Sequence, residues 1–431
     1  MRPNVLLLHS HDTGRALGCY GAPVSTPNLD ALAARSCLLE RMETCSPTCS
    51  PSRAALLTGR YPHQNGMTGL QHRGWSITDR HPTLAGTLRG AGFETLCIGE
   101  QHIAADPRDL GYQKVLCPDS SDPAEVADTM IDQLDCASQP FFAAVGFWQT
   151  HRTSWRGADS PTEPALAGLP DDPVVRADFA RLRASVALLD HHAGRVLDAV
   201  AVRCPDTLVI VTTDHGPGFP AAKCTLHGLG VGVMCLISGP GVRAGRNAAL
   251  LSNIDLYPTI CDLLGLPAPA CEGRSFAGLL NDGSDGGRRH TFAETNFHAA
   301  YDPARSVRTA DHALIRRYPP TIRRQPWSNI DDGPTKDLLH SRGWTDRVAR
   351  EELYDLRRDP GETRNVAADP AHAQVLADLR GRLDGWMSAT HDPLLDHQTV
   401  PAPARAIANH LSAYSAEEAE LIDANAAARG R

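Results

Sequence analysis

The sequence predicts an α/β fold, a large and mostly parallel sheet sandwiched by helices, followed by a smaller C-terminal α+β domain. Three observations lead there. Short continuous apolar runs end in polar clusters, amphipathic helical stretches lie between those runs, and near residue 283 the alternation gives way to short strand-like runs. Strands alternating with helices build a mostly parallel sheet covered on both faces. Such sheets bind ligands beyond the carboxyl ends of their strands. The 431 residues suffice for one large domain and a companion.

The first element is Val5–Leu8, a short apolar run bounded by the polar cluster His9–Thr13, as expected of a buried parallel strand whose end points into a site. Thr26–Ser36 is a helix with apolar Leu29, Leu32 and Ala33 and with Pro27 in its first turn. Thr83–Ala91 is also helical, and Leu96–Gly99 and Phe141–Phe147 are further strands. A long amphipathic helix over Asp178–Val202 leads to the strands Thr207–Asp214 and Val233–Ser238. The polar, glycine-rich Asn281–His290 is a linker. After it come strand-like Thr291–Phe297, Asp311–Tyr318 and Glu352–Leu356, and a helix over about Ala371–Met387. The expected units are a catalytic domain over 1–283, a subdomain with a small antiparallel sheet and helix over 290–395, and a peripheral helix or loose tail over 396–431.

Composition narrows the function. Hydrophobic content of 42% and charged content of 21% suit a globular protein with a sizeable core. A net charge of −8 leaves no basic footprint and argues against a nucleic-acid partner, while a local cationic pocket for small anions remains compatible with it. Val5–Leu8 is too short for a signal or a membrane span, so the expectation is a cytoplasmic protein without membrane attachment. Twelve scattered cysteines with no CxxC pair suit free, buried thiols in a reducing compartment.

The most informative string is CSPSRAALLTGR, Cys49–Arg60. Cys49 precedes a helix opened by Pro51, whose N-terminus offers free N–H groups and positive potential to an anion. Arg53, one turn along, reaches back to the same spot. The bland alternative is a half-buried cysteine before an ordinary capped helix. Asp12 ends the first strand and Asp214 ends another, followed by His215 and Gly216. Hard cations take carboxylate oxygens, and the two strand ends are expected to meet above the sheet edge beside Cys49. A turn or cap at Asp12 and a β-turn at Asp214 are the alternatives.

The Cys49 string resembles the modification sequence of the sulfatase family, C-x-P-S-R followed by x-x-x-L-T-G, and matches every fixed position. The resemblance implies an alkaline-phosphatase-like fold and oxidation of Cys49 to formylglycine by a formylglycine-generating enzyme. It further implies that one hydroxyl of the hydrated aldehyde attacks sulfur, that the other later collapses to expel sulfate, and that Arg53 steadies the hydrate. Pro3–Asp12 is similar to P-N-[IV]-L-x-x-x-x-D-D, with His11 at the first Asp position, and Thr212–Gly216 resembles T-S-D-[NH]-G. The metal ligands so implied are Asp12, Asp214, His215 and Cys49. His11 either binds through nitrogen or lines the site. The implied cofactor is one divalent ion, Ca2+ by resemblance, with the two histidines favouring Mn2+, Zn2+ or Mg2+.

By the same resemblance Lys223 grips the sulfate, while His151 and His102 are site histidines near the leaving group. His298 is read as either a pocket-lining residue from the second domain or a surface histidine. The family's G-K-x-H appears as Gly99-Glu100-Gln101-His102, a carboxylate where a cation is expected. Glu100 either points away, contacts a cationic or hydroxyl group of the substrate, or donates the proton in place of lysine. A carboxylate beside a bound dianion is repulsive unless protonated or paired.

Asn65–Leu70, Ser252–Pro269 and Glu272–Leu280 are also sulfatase-like, and Arg305–Val307, Asp337–Trp344, Glu352–Pro370 and Thr390–Pro393 are similar to the sulfamidase branch, the heparan N-sulfatases. The implied activity is hydrolysis of a sulfate ester or sulfamate, with a small-molecule or saccharide sulfate as substrate. Two other readings stand beside it: a phosphoester or phosphonate monoester hydrolase of the same superfamily, and a catalytically inactive binding relative, suggested by His11 and Glu100.

Overall fold

The computed structural model describes residues 2–430 apart from 79–80, 119, 158–167, 285, 320–324, 345–347, 397–398 and 419. Its strands are β1 (Val5–Ser10), β2 (Cys37–Glu43), β3 (Glu94–Gly99), β4 (Lys114–Leu116), β5 (Phe141–Phe147), β6 (Leu208–Thr213), β7 (Cys235–Ser238) and β8 (Gly245–Ser252), then β9 (Thr291–Phe297), β10 (Tyr301–Arg308), β11 (His312–Arg317), β12 (Glu351–Asp355), β13 (Ile407–Asn409) and β14 (Leu421–Asp423). The first eight form one sheet in the order β4-β3-β5-β1-β6-β7-β2-β8. Pairing is parallel throughout except that β7 runs antiparallel to both β6 and β2.

Side chains of β1 alternate between two cores because successive residues of a strand face opposite ways. Val5 and Leu7 pack with Ala54, Leu57, Leu84, Leu88 and Ile260. Leu6 and Leu8 pack with Leu29, Val126, Val186 and Leu189. The helices Cys49–Thr58, Leu84–Gly90 and Leu256–Leu263 therefore cover one face, and Pro27–Ala33, Pro123–Cys136 and Pro173–Arg203 the other. The last of these begins earlier than its periodicity predicts, because Asp172 accepts from the Val174 N–H and Pro173 occupies the first turn. The apolar runs all lie on strands. β2, β4 and β8 carry no such signal: β2 contains Glu40 and Arg41, β4 is three residues long, and β8 opens with exposed residues.

Register places the site. Ser10 lies opposite both Phe147 of β5 and Thr213 of β6, and Gly99 of β3 lies opposite Gly146. Four neighbouring strands thus end level, and the residues after them emerge along one edge.

The smaller unit is an antiparallel sheet, β12-β11-β10-β9, backed by the helix Ala373–Ala389 through Leu376, Leu379, Leu383 and Trp386. Trp386 stacks on Phe292 with ring centroids 4.9 Å apart. The C-terminal segment differs from the expected peripheral helix or loose tail. It forms the β13–β14 hairpin and the short helix Ala424–Ala428, whose Ala424, Ala427 and Ala428 are buried in the main core. Arg73 explains the attachment, donating to Asn409 Oδ1 at 2.7 Å and to the Ala416 carbonyl at 2.9 Å. Among the described residues no helix is long and apolar enough to cross a membrane.

Candidate active site

Cys49 is the first residue of a helix whose ten residues are all buried, and Thr48 before it is extended. The helix stops at Gly59, which adopts φ 63°; a Cβ there would lie 2.9 Å from that of Cys271. Its N-terminus is aimed at the level strand ends. Ser52 donates its hydroxyl to the Asp214 carbonyl at 2.6 Å. Arg53 donates from Nε to Asp214 Oδ2 at 3.0 Å and from Nη2 to the Ser10 carbonyl at 3.0 Å. The arginine thus ties the ends of β1 and β6 to the helix that carries the cysteine.

Asp12, at φ 44°, turns the chain just after β1. Its N–H donates to Asp214 Oδ1 at 2.9 Å, and the same oxygen accepts from the His215 N–H at 2.9 Å. His215 Nδ1 donates to the Gly216 carbonyl at 2.9 Å, since a carbonyl only accepts. In the neutral ring this leaves the Nε2 lone pair free, 3.3 Å from Cys49 Sγ and 3.3 Å from Asp12 Oδ1. His11 Nδ1 lies 3.2 Å from Asp214 Oδ2. All of these side chains are buried.

The donor set fits a divalent cation. Suitable donor atoms of His11, Asp12, Cys49 and Asp214 lie within 4.8 Å of one another. Asp12 Oδ1 and both ring nitrogens of His11 are buried without a hydrogen-bond partner, which native interiors rarely tolerate. Two buried carboxylates facing imidazole nitrogens supply the mixed oxygen and nitrogen ligands that a hard or borderline ion takes.

The cluster opens into a cavity of about 390 Å3 lined by Cys49, His102, His151, Lys223, His298 and Asp331. Lys223 Nζ donates to Asp12 Oδ2 at 3.0 Å and to Asp331 Oδ2 at 3.0 Å. Burial alone lowers the Lys223 ammonium, but Asp12 and Asp331 outweigh it and hold the group well above its ordinary value. Burial pushes Asp214 up, yet His215 and Arg53 keep its carboxyl below the usual range. For His151, burial and then the Lys223 charge lower the imidazole; for His102, burial and then Arg53 do so. Both are therefore neutral rings near neutral pH, each with one N–H to give. Burial raises the Cys49 thiol well above its ordinary value, the Lys223 charge opposing it more weakly.

The structure thus brings together Cys49, Arg53, Asp12, Asp214, His215, His11, His102, His151 and Lys223. His298 joins them as a buried lining residue, so the surface alternative does not apply. Glu100 does not join them. It lines a small cavity behind the site with His9 and Arg53, and a second one with His102 and Asp106. The chain turns at Gly99, φ 71°, and the Glu100 N–H donates to the Gly146 carbonyl at 3.2 Å, carrying the residue away from the main cavity. Two further residues of the site, Asp331 and Trp148, carry no mark in the sequence. Asp331 sits in a polar stretch that carries no local signal of a distant partner. Trp148 is hidden at the end of an apolar run, yet its ring centroid lies 4.4 Å from that of His11 and 4.0 Å from that of His151.

Comparison with known proteins shows the family and the fold. The Sulfatase family model matches residues 3–266. N-sulphoglucosamine sulphohydrolase of Homo sapiens is 31% identical over 462 residues, covering 90% of this chain and 91% of that protein. The solved structure of a 2-O GAG sulfatase superposes with a TM-score of 0.75 at 22% identity, over 97% of this chain and 100% of that one. The phosphonate monoester hydrolase of Agrobacterium radiobacter gives 0.69 at 20% identity, over 90% and 96%. At these identities the two structures establish the fold, a large mixed sheet with helices and a smaller antiparallel sheet.

Proposed function

The chain belongs to the sulfatase family of hydrolases, and on that premise we propose that Cys49, oxidised to formylglycine, is the nucleophile for cleaving a sulfate ester or sulfamate from a sugar. The observation that carries this reading is the convergence of His11, Asp12, Asp214 and His215 on Cys49 Sγ at a buried helix N-terminus. Protonation of the buried thiol argues that the unmodified side chain is a poor nucleophile. A formylglycine-generating enzyme is the maturation partner that the Cys49–Arg60 string implies.

Asp12, Asp214 and the ring nitrogens of His11 and His215 would hold the divalent ion. Two carboxylates suit Ca2+, and the nitrogen donors extend the choice to Mn2+, Mg2+ or Zn2+. The ion, when bound, supplies a Lewis acid that lowers the pKa of the attacking hydroxyl. The remaining work falls to the protein. Arg53 fixes the helix on the strand ends, and Lys223 offers positive charge to the anion at the cavity floor. His102 and His151 stand where a neutral imidazole N–H can be given to the leaving oxygen or nitrogen. The cavity volume suits one sugar residue. The sulfamidase-like relative favours an N-sulfated or O-sulfated aminosugar as substrate class.

Mass spectrometry of the tryptic fragment Met42–Arg53 from natively expressed protein tests the nucleophile. Oxidation to the aldehyde lowers the mass by about 18 Da, and an intact thiol in active enzyme overturns the assignment. Cys49→Ala is expected to abolish turnover while leaving the unfolding midpoint unchanged. Rates on a sulfate and a phosphonate ester of one leaving group complete the test, with sulfate expected to be the faster.

A further inference from the structure

A second cluster of metal-ligating side chains lies away from the catalytic cavity and shares no residue with it. His312 opens β11 and Asp355 closes β12, and the two are direct cross-strand partners in the antiparallel ladder. β12 is the edge of the small sheet. His372 comes from the single 3-10 turn Pro370–His372 that leads into the helix Ala373–Ala389. Donor atoms of the three residues all lie within 4.8 Å of one another.

We propose that His312, Asp355 and His372 form a zinc site that clamps the start of this helix to the edge strand. His372 Nε2 faces Asp355 Oδ2 at 3.9 Å, too far for a hydrogen bond. Two atoms about 2.0–2.1 Å from one tetrahedral zinc stand roughly 3.4 Å apart, so a small side-chain rotation closes the set. The two imidazole centroids are 6.3 Å apart and inclined at 70°, which leaves room for an ion between the rings. Asp369 lies behind the site, its Oδ2 3.5 Å from His372 Nδ1, an atom that is buried without a hydrogen-bond partner. A carboxylate behind a ligating imidazole orients the ring and strengthens its donor nitrogen.

The neighbouring charges are compatible with the ion. Arg357 and Arg358 approach Asp355 at 3.5 and 3.8 Å, but their side chains are 61% and 85% exposed and free to withdraw. Asp311 adds a further carboxylate beside Arg357 at 4.0 Å. Two nitrogens and one oxygen select a borderline ion such as zinc over calcium or magnesium, which take oxygen ligands.

Dialysis of the full-length protein and of His372→Gln against the same free zinc, followed by metal analysis, tests the site. The wild type is expected to retain one more equivalent of zinc than the variant, and to show a zinc-dependent rise in unfolding midpoint that the variant lacks. Hydrolytic activity of the variant is expected to be unchanged. Equal zinc content in the two proteins overturns the proposal. A zinc-edge anomalous difference map of zinc-soaked wild-type crystals needs no variant. A peak among His312, Asp355 and His372 supports the site, and its absence there, with zinc bound at the Cys49 cluster, overturns it.

Discussion

Lys223 stands between two carboxylates, Asp12 and Asp331, each 3.0 Å from its ammonium. Asp12 also belongs to the proposed metal ligands, so the lysine couples the ion site to the cavity floor. Asp331 holds it in that place without itself being a proposed ligand. Asp331→Asn is therefore expected to lower kcat/KM by about 10–100-fold, the range seen when a partner behind a ligand is lost, with the unfolding midpoint little changed. Steady-state kinetics check this, and a variant with wild-type kcat/KM removes Asp331 from the account. Glu100 leads to the opposite expectation. Because it does not line the main cavity, Glu100→Gln should leave both limbs of the activity–pH profile in place. Loss of one limb would restore the proton-donor role.

At the level of elements, the helix that carries Cys49 ends at a feature that is costly to alter. Gly59→Ala places a Cβ at φ 63°, 2.9 Å from the Cys271 Cβ, and is expected to destabilise the fold by more than about 1 kcal/mol, read from urea unfolding. Beyond Gly59 the chain is held by a buried ionic network. His63 Nδ1 meets Glu294 at 3.0 Å, and Arg305 lies 2.5 Å from Asp392 and 3.3 Å from Glu294. These contacts join a connection of the eight-stranded sheet to β9 and β10. Removing Arg305 alone leaves two buried carboxylates short of charge, so Arg305→Met is expected to cost about 3–5 kcal/mol. The pH dependence has a definite sign. Burial lowers His63, but Glu294 outweighs it and the net pKa is raised from 6.5. The His63 contribution is thus full below 6.5 and fades as pH rises through the raised value. Glu294 is held down to about 2 despite burial, chiefly by His63 and Arg305; its contribution is full above the ordinary carboxylate value and fades as pH falls toward 2. The stability difference between wild type and His63→Gln should therefore shrink from mildly acid to alkaline pH. A difference that grows with pH contradicts the ion pair.

On the scale of the whole molecule, the cavity is assembled from both sheets and the C-terminal segment. Ala416 and Glu417 line it beside residues that follow strands of the eight-stranded sheet, and Asn409 donates its N–H to the Ala299 carbonyl at 2.8 Å. Truncation after Pro403 removes Asn409 and Ala416, two of the partners of Arg73, together with the buried Ala406 and Ala408. The expected result is a lower unfolding midpoint together with a raised KM. Unchanged values for both would make the segment a passive appendage. Exhaustive chelation is expected to abolish activity reversibly, with recovery on adding back a divalent ion. Full activity of the ion-free protein would exclude the metal role of Asp12 and Asp214.

The residues with chemistry were legible wherever a short string carries its own local structure. Pro51 and Arg53 follow Cys49 at helical spacing, while Asp12 and Asp214 stand where apolar runs end, so strand ends and a helix start could be read directly. The alternation of those elements likewise determined a covered, mostly parallel sheet. Other features depend on partners far along the chain. Asp331 meets Lys223 across 108 residues and Arg73 meets Asn409 across 336, and no local periodicity records such a meeting. β7 runs antiparallel to the strands on both its sides, a direction that its apolar run does not record. Glu100 leaves the cavity because Gly99 turns and Gly146 admits its backbone closely, a Cβ at Gly146 falling 1.7 Å from the Glu100 carbonyl oxygen. Sequence by itself determined which groups exist and on which element each sits. Only the tertiary structure decided which of them face one another, because direction and distance arise from packing between segments that the chain brings together only on folding.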